Sequence, residues 1–126
     1  MTVWGTYPWF REHGVEQIHP DSLEKALQEP PYGKVFKLLS SGDPDWIEIK
    51  GATGPLKVKP GLFRTVPPPT FDFGQVVRTL PPRTPRTGTV TGIQWHHEEK
   101  RAFYLLTVEG KQLSRRYWDD ELEVGN

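Results

Sequence analysis

The alternation of apolar and polar positions is clearest between Gly88 and Leu122, GTVTGIQWHHEEKRAFYLLTVEGKQLSRRYWDDEL. β-Branched and aromatic residues fill 89–95, 101–109 and 112–118, with charged residues or glycine between the runs. Such side chains fit a pleated, half-buried surface, so three antiparallel strands are predicted, followed by one tight helical turn over 119–122. Shorter runs at 34–39, 46–50 and 56–59 predict further strands, separated by the turn compositions SSGDPD and GATGP. In the second of these, Ile47 and Ile49 face one way while Glu48 and Lys50 face the other. Lys57 and Lys59 are expected to point outward, and Leu62, Phe63 and Val66 inward. Residues 71–77, FDFGQVV, open one more strand.

The helical period is found only after His19-Pro20. Asp21 is the expected N-cap, with Glu24 three positions later as in a capping box. Leu23, Ala26 and Leu27 form the apolar stripe, and Pro30-Pro31 ends the helix. So short a helix must dock on something apolar. Ahead of it lie Trp4, Tyr7, Trp9 and Phe10, interrupted by Gly5 and Pro8. A bare aromatic arm would be sticky in water, so these rings are expected to pack across the fold.

Pro67-Pro68-Pro69-Thr70 marks a boundary, since consecutive prolines favour stiff extended chain that cannot donate to a sheet ladder. The expected organisation is an N-terminal unit 1–66, a linker 67–70 and a C-terminal unit 71–126. The halves also suggest a repeat. Gly33-Lys34-Val35-Phe36 answers Gly74-Gln75-Val76-Val77, Trp46 answers Trp95, Leu56 to Lys59 answers Leu113 to Arg116, and Phe63 answers Leu122.

Phe73-Gly74-x-x-Val77 followed by Thr87-Gly88-Thr89-Val90-x-x-Ile93 resembles the opening of Tudor, KOW and related SH3-like barrels. Tyr104, Val108-Glu109-Gly110, Tyr117 and Leu122 fit their later strands. The resemblance implies a mostly β protein: two small SH3-like barrels in tandem with one short N-terminal helix. Residues 33–66 are few for a barrel, so residues 1–30 are expected to complete the first. The start, Tyr7-Pro8-Trp9-Phe10 with Glu12-His13-Gly14 and Ile18-His19-Pro20-Asp21, resembles a set of small bacterial proteins of unknown function and implies no activity.

Composition narrows the classes. Apolar residues are only 35% of the chain, but five Trp, four Tyr and six Phe supply large buried areas from few positions. Thirteen Pro and 12 Gly suit short strands and tight turns over a helical bundle. Lys plus Arg equals Asp plus Glu at 16 each, so no net positive charge argues for nucleic acid. With no cysteine, disulfides, zinc ribbons and thiol nucleophiles are excluded, and a reducing compartment is favoured. No apolar run approaches the ~20 residues that span a bilayer, and the first residues lack the pattern of a secretory signal. A cytoplasmic protein with no membrane partner is expected.

Catalytic signals are weak. His96-His97-Glu98-Glu99 has the residue types of a metal cluster, but neighbours on a strand point to opposite faces, so a solvated hairpin tip is expected. His13 and His19 lack zinc spacing, and with Glu12 and Asp21 beside them turn-capping is the expected role. Ser40, Ser41 and Ser114 have no nucleophile context. Asp119-Asp120-Glu121 is read as first-turn capping. No cofactor, metal or catalytic residue is assigned.

Binding chemistry is better represented, by aromatic and basic residues interleaved. On a strand, Arg115 and Tyr117 share one face while Arg116 and Trp118 share the other. Arg83, Arg86, Trp95, Arg101 and Tyr104 complete the expected binding surface, with Trp95 and Tyr104 leaning to a structural role; Arg78 and Lys100 lie on neighbouring loops. Such a surface suits a protein partner, because Trp and Arg dominate interface hot spots. It also has the chemistry to stack single-stranded bases and contact phosphates. The expectation is a non-enzymatic protein-interaction protein, with nucleic-acid binding by the C-terminal barrel as the alternative. The sequence is silent on oligomeric state.

Overall fold

Three residues near the N-terminus, with no periodic signal of their own, form an interior strand of the first sheet. In the computed structural model, which describes residues 2–40 and 42–125, β1 (Trp4–Thr6) pairs on both sides. It lies antiparallel to β2 (Val35–Ser40) through Trp4↔Lys37, and to β5 (Arg64–Val66) through Trp4↔Val66. Strands β3 (Ile47–Gly51) and β4 (Gly54–Val58) extend the sheet to the order β4-β3-β2-β1-β5. Gly5 makes this possible: a Cβ there would lie 2.4 Å from Phe63 Cζ and 2.6 Å from the Arg64 carbonyl oxygen. Ser41, in the SSGDPD turn, lies outside the described residues.

The chain divides into two compact units, Met1–Pro68 and Pro69–Asn126. In the first, Tyr7, Trp9, Ile18, Ala26, Phe36, Ile47, Ile49, Leu56 and Val58 form one buried cluster. Ile47 and Ile49 point inward as their alternation predicts, and Leu62 and Phe63 pack against the cluster. Of the early rings, Trp4, Tyr7 and Trp9 are buried, but Phe10 is exposed and stacks on Tyr32 at 4.4 Å. Trp9 is wholly enclosed, and its Nε1–H donates to the Gly14 carbonyl at 3.0 Å, so the ring is buried without an orphaned donor.

Helix α1 (Pro20–Gln28) starts two residues earlier than expected. His19, not Asp21, is the N-cap: its Nδ1 accepts the Asp21 N–H at 3.0 Å, and Pro20 takes the first helical position. Proline there has no N–H to leave unpaired and a φ already suited to the helix. Ala26 is buried and Leu23 packs on the core, whereas Leu27 is exposed. His13 acts similarly, its Nδ1 accepting the Phe10 N–H at 2.9 Å.

The second unit carries β6 (Val76–Thr79), β7 (Thr87–His96), β8 (Arg101–Val108), β9 (Lys111–Tyr117) and β10 (Leu122–Val124). Their order is β10-β6-β7-β8-β9. Counted within each unit, both sheets run fifth, first, second, third, fourth, with a 3-10 turn ahead of the fifth strand at Pro60–Leu62 and Asp119–Glu121. This order offsets two of the repeat correspondences. Gly33 leads into a second strand and Gly74 into a first, while Trp46 precedes a third strand and Trp95 lies in a second. The β4/β9 and Phe63/Leu122 correspondences fall at the same place in the strand order of each unit. The β8–β9 hairpin turns on Glu109 and Gly110, both with positive φ, as a two-residue turn between twisted strands requires.

Two buried phenols couple this fold to pH. Tyr7 donates its hydroxyl to the Lys59 carbonyl at 2.7 Å, with the Gln17 carbonyl at 3.3 Å. Burial pushes its ionisation, and that of Tyr104, above the usual phenol range of about 10. Above that pH the unfolded chain loses phenolic protons that the folded chain keeps. Stability is therefore complete below about pH 10 and falls as pH rises beyond it. Tyr7→Phe should lower stability by about 1 kcal/mol at pH 8 and reduce the decline between pH 10 and 11, leaving the Tyr104 part. Urea midpoints at both pH values measure it; a decline as steep as that of the wild type contradicts the assignment.

Candidate interaction surface

The hairpin β8–β9 divides the nine expected binding residues between two faces. Phe103 and Tyr104 are neighbours on β8 and point opposite ways. Tyr104 faces the core, where it is buried; its ring meets Phe71 edge-on at 5.4 Å and its oxygen accepts the Thr70 N–H at 2.9 Å. It is a structural residue, because an enclosed ring offers no surface to a partner. Tyr117 pairs with Tyr104 across the strands and is likewise buried, as the floor of a cleft of about 530 Å³. Arg83 and Arg86 line that cleft with Asp120 and Glu121. The guanidinium groups of Arg83 and Arg115 lie 5.9 and 5.8 Å from the Tyr117 ring centre.

The opposite face is built around Trp118. Arg101 lies over its ring at 4.3 Å, His96 meets it edge-on at 5.5 Å, and Phe103 does so at 6.0 Å. Arg116 covers Phe103 at 5.1 Å. Strand alternation produces this grouping: His96 pairs with Arg101, Gln94 with Phe103, and Leu105 with Arg116, which sets their side chains on one side of the sheet. Trp118 itself is half-buried and Arg116 exposed, so an aromatic surface under a cationic rim is open to solvent. Trp95 pairs with Ala102, on the side of Ile93 and Tyr104, and is separate from this group.

The 3-10 turn after β9 sets the charge of both faces. Glu121 caps its own turn by accepting the Trp118 N–H at 2.9 Å, the capping expected of this acidic run. Its other oxygen holds Arg83 at 2.7 Å. Asp119 and Asp120 lie 2.7 and 3.6 Å from Arg101, and Glu123 pairs with Arg78 through the guanidinium Nε at 2.7 Å. Arg86, Arg115 and Arg116 make no carboxylate pair among the described residues. The arginine closest to Trp118 is thus already neutralised by carboxylates.

A family model matches residues 1–123. The chain belongs to the DUF6960 family, a family of unknown function. No curated protein matches it, and no solved structure does. Among the described residues of this DUF6960 chain, no group of three or more His, Asp or Glu side chains is placed to hold a metal ion. No helix among them is long and apolar enough to cross a membrane.

Two members of the Trp118 face escaped the binding assignment. His96 is no solvated tip: it is half-buried, its Nδ1 accepts the Glu99 N–H at 3.0 Å, and its ring supports Trp118. Phe103 is buried beneath Arg116 and Trp118 although it points away from the core. The register of 101–105 against 112–118 was the signal for Phe103, since an aromatic residue alternating with the core-facing Tyr104 must lie on the outer side.

Proposed function

We propose that this chain is a non-enzymatic protein-interaction protein that grips a protein partner through the Trp118 face of its second unit. The observation carrying this is the open stack of Trp118 with Arg101, His96 and Phe103, rimmed by Arg116. Rigid aromatic area beside guanidinium is the chemistry of interface hot spots, and it costs little ordering entropy because the rings are already packed. Equal numbers of acidic and basic residues fit a protein partner better than a polyanion. So does the neutralisation of Arg78, Arg83 and Arg101 by neighbouring carboxylates. The common strand order of the two sheets supports reading both units as SH3-like barrels, a scaffold that hosts many binding functions. An adaptor or a toxin-neutralising immunity protein is the concrete form this takes in so small a chain.

Affinity capture from nuclease-treated extract of the native host tests the proposal. The wild-type chain should retain a protein that Arg101→Ala and Arg116→Ala release. Capture abolished by the nuclease, or undiminished by both substitutions, overturns it in favour of nucleic acid or of another surface.

A further inference from the structure

Strand β9 ends its sheet, and no strand pairs with its outer edge among the described residues. The same position in the first unit is filled. There β4, the fourth strand of that sheet, carries an extended piece of the chain: Ile18 bridges Val58 antiparallel. The His19 N–H donates to the Lys57 carbonyl at 2.9 Å, and the Lys59 N–H donates to the Gln17 carbonyl at 2.8 Å. Ser22 then accepts the Lys57 N–H at 2.9 Å. Two sheets of one strand order therefore differ at this edge. One is covered by residues 17–22 of its own chain, and the other is open.

Unpaired backbone donors and acceptors along a strand are a template for another strand, and side chains decide which strand is welcome. Along β9 those side chains are basic. Lys111, Arg115 and Arg116 are exposed and none pairs with a carboxylate among the described residues. They oppose β9 of a second copy by setting like charges across the new ladder, and they attract a strand bearing carboxylates. The side of β9 carrying Lys111 and Leu113 also borders a groove of about 550 Å³, lined by Arg86, Val108, Lys111 and Leu113, with Glu109 its one carboxylate. Alternate side chains of an added strand would enter it.

We propose that the free edge of β9 takes an extended acidic peptide segment as an added strand. The backbones pair, and the carboxylates, on one side of the added strand, meet Lys111 and Arg115 to either side of Leu113. The site is distinct from the Trp118 face and rests on the protein-interaction reading only for the class of its occupant.

Titrating the isotope-labelled full chain with an octapeptide alternating Glu and Val tests it by NMR. Amides of residues 111–117 should shift and exchange more slowly with solvent. A peptide alternating Glu and Pro keeps the charge but has half the backbone donors, and should bind about tenfold more weakly or worse. Gln in place of Glu, and Arg115→Glu in the protein, should weaken binding similarly. Trp118→Ala should leave the titration unchanged, so failure here and failure of the Trp118 face are separately visible. The proposal is overturned if the Pro peptide binds as well as the Val peptide, or if Gln replaces Glu without loss. It is equally overturned if no peptide perturbs residues 111–117, or if oligothymidylate occupies those amides more tightly than the acidic peptide.

Discussion

Trp9→Ala should lower the stability of the first unit by about 3–5 kcal/mol, the range for removing a large buried aromatic ring. The ring is wholly enclosed among Tyr7, Ile18, Ala26 and the inward residues of β2 to β4, so its removal leaves a cavity in the middle of the cluster. The Gly14 carbonyl also loses the indole donor that reaches it at 3.0 Å. A unit of this size has roughly 3–10 kcal/mol in total, so the loss is comparable with the whole. Amide exchange across β2, β3 and β4 reads it directly: protection should collapse in Trp9→Ala and be partly kept in Trp9→Phe, which restores most of the volume without the N–H. Protection in Trp9→Ala within a factor of five of the wild type would mean that the cluster does not depend on this ring.

Trp118→Ala should have the opposite signature, a large loss of binding with a small loss of stability. Truncating a central aromatic anchor typically removes at least ~2 kcal/mol of binding, or about thirtyfold in affinity. Here it also frees Arg101 and His96 from the ring that orders them and uncovers Phe103. Trp118 is half-buried and lies outside the core, so the melting temperature should fall by only a few degrees. Partner titration by calorimetry alongside thermal melting separates the two effects. Equal binding by Trp118→Ala and the wild type removes this face from the account.

The second sheet was the more legible in the sequence because three of its five strands, β7, β8 and β9, are long enough to show their period. Residues 101–109 and 112–118 differ from β8 and β9 by a residue at the ends, since alternation and the Glu109-Gly110 turn fix them locally. β1 was hidden because three residues around a glycine carry no period, and its pairing partners lie 29 or more positions away. The helix start was misplaced by one feature: an imidazole nitrogen can accept a backbone N–H as a carboxylate does, so His19 caps in place of Asp21. For the candidate surface, alternation separated Arg115 and Tyr117 from Arg116 and Trp118. The division of the other residues needed the cross-strand register, which sets Tyr104 in the core and Phe103 on the outside.

Photocrosslinking in the native host puts the central claim to its most direct test. With p-benzoylphenylalanine in place of Gln94, on the Trp118 side of the sheet, a covalent adduct to one protein should form, survive nuclease treatment and disappear in a Trp118→Ala background. The same photoreactive residue in place of Lys50, exposed on β3 of the first unit, should give no such adduct. An adduct formed only from the Lys50 position, only to nucleic acid, or unaffected by Trp118→Ala contradicts a protein partner held at the Trp118 face.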